Sequence, residues 1–373
     1  MGPNLIALAI PLFLVGIGVE LAVARGRGRQ VYRLADAVSD IGCGVMNQVV
    51  SNLLAGWVTL AAYTWVFERR LVDLPTAWLP WVLALVGVEF AYYWWHRLSH
   101  EVNVLWAAHA VHHHSEDYNL AVALRQSVTT WATSLPFWLP LALLGIPPLP
   151  FSVLLGLTTL YQFWIHTELV PPLGWLERWL NTPALHRVHH AVNPGYLDKN
   201  HGATFSVFDR WFGTYAPEVE PCVYGTTTPL RSFNPLWAQV ERFVGLWRTA
   251  RRAPSPWDAA RVLFASPAWR PPWMGPADVR DGAVKYDVAA PRDVQAYVFG
   301  NWLLVMGATF AFLLASRSLP LPWKLAAAGW LVLSAAVLPA LLEERRWARP
   351  LEAVRWGVLG LGALAAVMQP GPG

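Results

Sequence analysis

Residues 96–114, HRLSHEVNVLWAAHAVHHH, carry six histidines directly after a long apolar segment. The stretch contains one HxxxH pattern and one HxxHH pattern. On an α-helix, side chains three or four residues apart share a face, with Cβ atoms about 5–6 Å from one another. HxxxH therefore aims two imidazoles in one direction, and HxxHH aims three. The stretch predicts helices that present clustered imidazoles where a membrane segment ends.

The composition indicates an integral membrane protein. Of 373 residues, 55% are hydrophobic and only 14% are charged, which is too apolar for a soluble chain of this length. The net charge of +4 comes from scattered basic residues, with no run that would track phosphates, so a nucleic-acid partner is not expected. The chain has two cysteines, Cys43 and Cys222, and no CxxC motif. A disulfide framework or a thiolate metal site is therefore not expected.

Apolar segments of roughly 20 residues, long enough to cross about 30 Å of hydrocarbon, recur along the chain. Six are predicted to span the bilayer: 4–24, 42–66, 77–95, 294–315, 321–341 and 351–368. Residues 128–169 are also apolar but are interrupted by GIPPLP at 145–150, which predicts two short helices that either span or dip in and return. The expected fold is all-α and multi-pass, with six to eight transmembrane helices.

The distribution of arginine predicts the orientation of these helices. Arginines follow the first span and also the span that ends near residue 341, so both loops are predicted to be cytoplasmic: Arg25, Arg27, Arg29, Arg33, Arg345, Arg346 and Arg349. Following the chain from these loops places His96, His166 and residues 170–292 on the cytoplasmic face. The Ala-, Arg- and Pro-rich composition favours a bacterial inner membrane.

The predicted spans and the positions of the histidines divide the chain into four parts. Residues 1–75 are N-terminal transmembrane helices, and 76–216 form the histidine-bearing domain, predicted to be catalytic. Residues 217–292 are a Pro- and Trp-rich cytoplasmic segment, of which 253–292 is expected to be an ordered loop on the membrane surface, because Trp favours the interface. Residues 293–373 are C-terminal transmembrane helices.

All 11 histidines lie between positions 96 and 201. Nine have helical spacing or stand one turn after Gln162, and these are the predicted metal ligands: His96, His100, His109, His112, His113, His166, His186, His189 and His190. One ion takes four to six ligands, so nine nitrogens indicate two ions. Imidazole suits Zn, Cu, Fe and Ni alike, so the ligand type does not name the metal.

Other uses of clustered histidine fit less well. A haem site needs single axial histidines rather than triplets. A histidine-rich membrane metal transporter is the alternative from a different class, but its ionisable ligands should mark a pathway near the bilayer midplane. Here the predicted ligands stand at helix ends.

Five motifs resemble those of the fatty acid hydroxylase and sterol desaturase superfamily of membrane diiron enzymes, also called histidine-box enzymes. They are HRLSHE (96–101), HAVHHHSEDYN (109–119), QFWIHTE (162–168), NTPALHRVHHAVN (181–193) and DKNHGATFSVFDRWFGTY (198–215). Among the branches of the superfamily, residues 106–127 and QFWIHTE resemble most closely the alkylglycerol monooxygenase branch and its bacterial members. The resemblance is dense over residues 30–216.

The resemblance implies a cytoplasmic-face diiron domain in which eight of the predicted ligands occupy the family's histidine positions and His166 adds a further one. It implies two iron ions, O₂ and a lipid substrate, hydroxylated in this branch at the ether-bearing carbon of an alkylglycerol. A sterol C-5 desaturase or a fatty-acyl hydroxylase is the alternative within the superfamily. The external electron donor would be tetrahydrobiopterin in this branch, or otherwise an electron-transfer protein of cytochrome b5 or ferredoxin type.

Several further residues are candidates around the metals. Glu101 matches an acidic position associated with activity in the alkylglycerol branch and is the predicted catalytic residue. His114 is expected to be a surface imidazole, with a tenth metal ligand as the alternative, and Arg125 and Gln126 could bind a lipid headgroup, a pterin or neither. The remaining candidates could touch a metal or hold a ligand imidazole, with a turn-capping role as the alternative for the asparagine: His201, Gln162, Glu116, Asp117 and Asn193.

Overall fold

A computed structural model describes residues 5–75, 77–274 and 284–367, and the regular elements in these ranges are all helical. The helices are α1 (Leu5–Gly26), α2 (Leu34–Val50), α3 (Gly56–Phe67), α4 (Leu79–Glu101), α5 (Asn103–His113), α6 (Thr130–Leu143), α7 (Pro148–Trp164), α8 (Pro183–His190), α9 (Val207–Trp211), α10 (Pro235–Ala250), α11 (Pro256–Phe264), α12 (Arg292–Ala315), α13 (Leu321–Leu342) and α14 (Ala348–Val367). The all-α prediction is confirmed for these residues.

Four helices are long and apolar enough to cross a membrane: Ile6–Gly26, Leu34–Phe67, Arg292–Ala315 and Leu321–Leu342. This number supports an integral membrane protein. The other two predicted spans, 77–95 and 351–368, correspond to α4 and α14, although residues 4 and 368 at the ends of predicted spans lie outside the described residues. Both helices carry several charged or histidine side chains, which lowers their mean hydropathy.

The second membrane helix begins earlier than its predicted start at residue 42. It runs without interruption from Leu34 to Phe67, with a π-helical turn at Ser51–Ala55, called the π turn below. Its first turns escaped prediction because they contain Asp36 and Asp40, which are buried and paired, Asp36 with Arg33 at the start of the same helix and Asp40 with the distant Arg125. Charge within the helix therefore marks a contact and not the end of the span.

The apolar stretch 128–169 forms two short helices joined by a tight turn, as predicted. α6 has 14 residues and α7 has 17, which at about 1.5 Å per residue is shorter than the hydrocarbon core. Gly145 in the turn has a φ of +88°, and a Cβ there would collide with the carbonyl oxygen of Val72. Glycine is thus required at this position for two reasons.

The segment 217–292 is more helical than its Pro and Trp content predicts. It contains the amphipathic helices α10 and α11, each begun by a side-chain cap followed by proline, with Asn234 and Ser255 as the caps. Part of the predicted surface loop, residues 275–283, lies outside the described residues. Where the structure describes the predicted loop 253–292, it contains the helix α11, while residues 265–274 and 284–291 have no helix.

One end of the helix bundle gathers the segments that carry the histidines. Arg33, at the start of α2, donates to Asp117 at 3.0 Å, and Tyr286, ahead of α12, donates its backbone N–H to Glu116 at 2.6 Å. Glu343, just after α13, accepts a hydrogen bond from the Tyr286 hydroxyl at 3.0 Å. The histidine-rich loop therefore lies beside the ends of the membrane helices.

Candidate metal centre

The structure brings nine imidazoles together in two groups, in each of which one nitrogen per residue lies within 4.8 Å of the others. The five-histidine group is His96, His100, His109, His113 and His189, and the four-histidine group is His112, His166, His186 and His190. These are the nine residues singled out by spacing. The pattern HxxHH is divided between the groups, so neighbouring histidines of one helix serve different groups.

Four structural elements supply these side chains. α4 contributes two, α5 three and α8 three, and His166 follows directly after the end of α7. The short helix α8 has eight residues, and its start is defined by Thr182, whose hydroxyl accepts from the Leu185 N–H, and by Pro183 in the first turn. This local definition places His189 and His190 at the end of the helix and His186 one turn earlier, and all three are buried.

Backbone carbonyl groups hold four of the imidazoles through Nδ1. The pairs are His96 with His201 O at 2.8 Å, His112 with Arg125 O at 3.0 Å, His166 with Gln162 O at 2.7 Å and His189 with Lys199 O at 2.9 Å. A carbonyl oxygen can only accept, so Nδ1 of each ring carries the proton. Nε2 then presents a lone pair, which is the form that binds a metal.

The positions of the Nε2 atoms also suit a metal. His112 and His166 are both fixed in the Nδ1–H form, yet their Nε2 atoms stand 3.2 Å apart, so this contact joins two lone pairs. In addition, Nε2 of His100, His189 and His190 is buried with no hydrogen-bond partner among the described residues. Buried lone pairs that face each other are costly unless a cation lies between them.

Burial keeps the imidazoles neutral. Desolvation lowers the pKa of His112 to about 4 and that of His189 to about 3, with the backbone hydrogen bond of each ring acting in the opposite direction. A histidine must be neutral to bind a metal, so at pH 7 these rings need lose no proton.

The two groups adjoin each other. The rings of His113, from the five-histidine group, and His190, from the four-histidine group, stack with centroids 4.3 Å apart. His112 and His190 belong to the same group and approach to 4.5 Å. Because the two groups are in direct contact through His113 and His190, two ions bound in them would be neighbours within one centre.

Two buried charged residues support the centre indirectly and were not identified from the sequence as doing so. Arg125 donates to Asp40 at 3.0 Å and to the Val111 carbonyl at 2.6 Å, while its own carbonyl holds His112. Asp209 accepts from the backbone N–H groups of His201 and Gly202 at 2.7 and 2.8 Å. A fully buried arginine that is committed to this ion pair cannot bind a headgroup, so that interpretation of Arg125 is wrong.

The acidic candidates bind basic side chains or a backbone N–H group. Glu116 and Asp117 brace the loop after α5 against Tyr286, Arg33 and Lys285. Glu101 pairs with Arg97 at 2.9 Å, and its side chain is 37% exposed, so its predicted catalytic role stays a prediction.

The remaining candidates act through contacts of different kinds. Gln162 holds His166 with its carbonyl, and its side-chain oxygen accepts from Tyr92 at 2.7 Å. Asn193 bonds the backbone of Pro221 and Val223, which is a loop-bracing role. His201 is fully buried, with its ring centroid 5.1 Å from that of His100, but it belongs to neither group.

His114 is buried and not a surface imidazole, so the expectation of exposure is wrong. Only 6% of the residue is exposed, and it also lies outside both groups. Burial lowers the pKa of its imidazole, an effect that the positive charges of Arg125 and Arg242 reinforce. The sequence shows no sign of this burial, because α10, which covers this side of α5, is more than 120 residues away along the chain.

A large cavity leads from the four-histidine group into the helix bundle. Its volume is about 1200 Å³, and its walls come mostly from α1, the helix 34–67, α6 and α7. His109, His112 and His166 form part of its lining. Pockets for small molecules are usually roughly 300–1,000 Å³, so this cavity has room for a longer ligand.

Comparison with known proteins identifies relatives that are lipid hydroxylases and monooxygenases. The Fatty acid hydroxylase family matches residues 81–214. Alkylglycerol monooxygenase of Xenopus tropicalis is 36% identical over 362 residues, covering 95% of this chain and 80% of the relative, and that of Homo sapiens is 37% identical over 366 residues, covering 95% and 81%. Ornithine lipid hydroxylase of Rhizobium tropici is 32% identical over 148 residues, covering 36% of this chain and 41% of the relative. No solved structure matches the chain.

Apolar helices, paired histidine groups and the hydroxylase match define the class of protein as a membrane oxidoreductase of the monooxygenase type. Within that class, the chain belongs to the alkylglycerol monooxygenase family. The aligned region covers nearly the whole chain, including the C-terminal helices, which contain none of the five histidine motifs.

Proposed function

We propose that this protein is an O₂-dependent diiron monooxygenase that hydroxylates the ether-bearing carbon of an alkylglycerol. The observation that carries the proposal is the opening of a mostly apolar cavity of about 1200 Å³ directly onto His109, His112 and His166. A lipid tail can lie in such a cavity while a carbon near its head reaches the histidines. The names of the relatives that match 95% of the chain support the same substrate class.

The nine histidines would hold two iron ions, one in the five-histidine group and one in the four-histidine group. Iron bound by neutral imidazoles supplies O₂ activation and the oxidation of an unactivated C–H bond, chemistry that zinc, which does not change valence, lacks. Backbone carbonyls would serve this chemistry by fixing ring orientation, since they accept from Nδ1–H and leave the Nε2 lone pair available to bind an ion.

The overall reaction consumes one O₂, two electrons and two protons. One oxygen atom enters the C–H bond beside the ether oxygen, and the other leaves as water. The resulting hemiacetal breaks down to an aldehyde and the glycerol product. Tetrahydrobiopterin is the donor we propose first, and an electron-transfer protein of cytochrome b5 or ferredoxin type is the second candidate.

The membrane arrangement is also part of the proposal. We place six to eight spans in the bilayer, the metal centre on the cytoplasmic face and the protein in a bacterial inner membrane. The contacts of Arg27 and Arg29 with the loop at 168–169 support this, because they join the arginine-rich loop to the segment that follows His166. The proposal also divides the chain into four parts at residues 75, 216 and 292 and assigns Glu101 as the catalytic carboxylate.

A histidine-rich transporter is disfavoured because the chain belongs to an oxidoreductase family. A sterol desaturase or fatty-acyl hydroxylase would use the same metals, so the product must distinguish them. We would incubate the purified protein with an alkylglycerol, isotopically labelled O₂ and each donor in turn. The proposal predicts a fatty aldehyde whose carbonyl oxygen carries the label before exchange with water, and the absence of cleavage with every donor would contradict it.

If no cleavage is seen, lipid profiles of cells with the active protein and with an inactive His112→Ala variant would name the true substrate. A newly unsaturated sterol-like product would indicate a desaturase, and a hydroxylated acyl chain would indicate the other alternative.

A further inference from the structure

Uncharged amide side chains line the cavity close to its metal end. Gln48 donates from Nε2 to the Asn47 side-chain oxygen at 3.2 Å, and Asn47 donates from Nδ2 to the Ser127 carbonyl at 2.7 Å. Gln126, the neighbour of Ser127, also lines the cavity and donates from Nε2 to the Ala123 carbonyl at 3.1 Å. In a mostly apolar cavity, a few such polar groups fix the orientation of a ligand.

These amides are connected to the centre by a short path. His112, which lines the same cavity, is held through Nδ1 by the carbonyl of Arg125, and Gln126 is the next residue along the chain. The close packing of Gly44 against the Leu124 carbonyl brings the helix that carries Asn47 and Gln48 up to this loop. The loop that holds a proposed metal ligand therefore also carries Gln126 and is bonded by Asn47, the neighbour of Gln48.

The hydrogen-bonding capacity left at this place suits hydroxyl groups. Among the described residues, none donates to the side-chain oxygen of Gln48 or to that of Gln126, so both can accept from a ligand. The Arg125 guanidinium is committed to Asp40 and to the Val111 carbonyl, and so offers no cation to an anionic headgroup. A neutral diol can satisfy amide acceptors, whereas a phosphate or a carboxylate, which only accepts, cannot.

The other end of the cavity is open and apolar. Trp57 and Leu149 both line it and are 52% and 62% exposed, which marks its mouth between the helix 34–67 and α7. The cationic lining residues Arg317 and Lys324 belong to the α12–α13 region, where Ser316 accepts from Asn52 of the π turn. They are therefore associated with the π turn, which begins three residues after Gln48.

We propose that Gln48 and Gln126, positioned by Asn47, form a subsite that binds the two glycerol hydroxyls of the substrate, with the alkyl chain running toward the mouth beside Trp57 and Leu149. This inference rests on the proposed function and specifies how it selects its substrate. Binding of the diol beside His112 would place the first carbon of the chain at the histidines, which explains why oxidation would occur next to the ether oxygen.

The test compares Gln48→Leu with wild type on two substrates, hexadecylglycerol and a hexadecyl alkyl ether that lacks hydroxyls. Because a site built around hydroxyls loses its advantage when a partner is removed, kcat/KM for the diol should fall about 10- to 100-fold, while that for the plain ether changes by no more than about threefold. Gln295→Leu, the same substitution at an exposed position of α12 outside the cavity lining, is the matched control and should change neither value. Iron content should be the same in all three proteins.

An equal loss on both substrates would overturn the inference, because it would show general damage to the cavity. An unchanged preference for the diol in the Gln48→Leu variant would overturn it as well. A preference for a phosphate-bearing alkylglycerol over the neutral one, lost on Lys324→Ala, would move the headgroup to the π-turn end.

Failure of the proposed function itself can be recognised separately. If wild type cleaves neither ether, binding of hexadecylglycerol to the zinc-loaded protein is measured instead. Hydroxyl-dependent binding that weakens about 10-fold or more in the Gln48→Leu variant would support the subsite without the reaction. Binding that does not depend on the hydroxyls would overturn it.

Discussion

At the residue scale, the decisive feature is which nitrogen of each imidazole carries the proton. Four carbonyl groups accept from Nδ1, so the corresponding Nε2 atoms are lone pairs directed into the centre. The carbonyls belong to segments held by other buried groups, notably the Arg125–Asp40 ion pair and Asp209. The orientation of the rings is thus built into the backbone before any metal binds.

The division of the histidines predicts a selective loss of metal. His186→Ala removes one of four ligands from one group and leaves the five-histidine group intact, so iron should fall from about two ions per chain to about one. His114→Gln, which changes a buried histidine outside both groups, is the matched control and should keep both ions. Metal analysis of the purified variants measures this. Loss of both ions in the first variant, or of any in the second, would contradict the division.

Helical spacing predicted the nine clustered residues because i, i+3 and i+4 side chains share a face whatever surrounds the helix. It could not show the division between groups, which depends on how α8 and His166 meet α5. The burial of His114 and the pairing of Arg125 with Asp40, 85 residues away, leave no local pattern. A lone arginine in an apolar stretch, together with aspartates four residues apart near the start of α2, was the available sign of that ion pair.

At the scale of the elements, the centre depends on how closely the second membrane helix approaches the loop that follows α5. Gly44 makes this approach, since a Cβ there would collide with the Leu124 carbonyl oxygen. The same loop carries Arg125, whose carbonyl holds His112. A change in this helix contact is therefore transmitted to a metal ligand by a displacement of the backbone.

Gly44→Ala should destabilise the protein by about 1–3 kcal/mol and weaken metal retention, because a tight contact with backbone cannot yield without moving the loop. Gly300→Ala is the matched control: a Cβ there meets open space, so this helical substitution should be neutral or stabilising by up to about 1 kcal/mol. Thermal unfolding in detergent and iron retention during dialysis against a chelator provide the measurements. Equal stability and equal iron retention in both variants would show that the close contact at Gly44 is not needed to hold the metal ligand.

Element boundaries were predictable where apolarity alone determined them, as for α1, α12 and α13. Boundaries were not predictable where a helix continues through buried charge, as at Asp36 and Asp40. The sequence does not show whether a carboxylate is paired in the fold or unpaired. The π turn at Ser51–Ala55 also has no sequence signature, although π turns are frequent at functional sites. Here it lines the cavity.

At the scale of the whole molecule, the histidine-bearing segments lie at one end of the bundle and the cavity extends from them between the helices. In the proposed reaction, this arrangement would let a lipid enter from the bilayer side while electrons arrive from water. The general plan, an all-helical membrane protein with a histidine centre at helix ends, followed from composition and motif spacing. The number of spans did not, because α4, α6, α7 and α14 are too short or too polar for length and hydropathy to decide.

The proposed orientation predicts the accessibility of the two ends of α13. In a Cys222→Ser background, a membrane-impermeant maleimide added to intact cells should label Ser318→Cys, before α13, but not Arg346→Cys, after it. Both should react after the membrane is permeabilised, which controls for local burial. The reverse pattern would place the metal centre on the opposite face.

The proposed function requires the nine histidines to bind two redox-active ions. The most direct test is metal analysis of the intact protein purified without chelators from iron-replete cells. The two groups predict about two irons per chain, with little zinc. One zinc per chain and no iron would contradict the account, because the O₂ chemistry proposed for the site could not then take place.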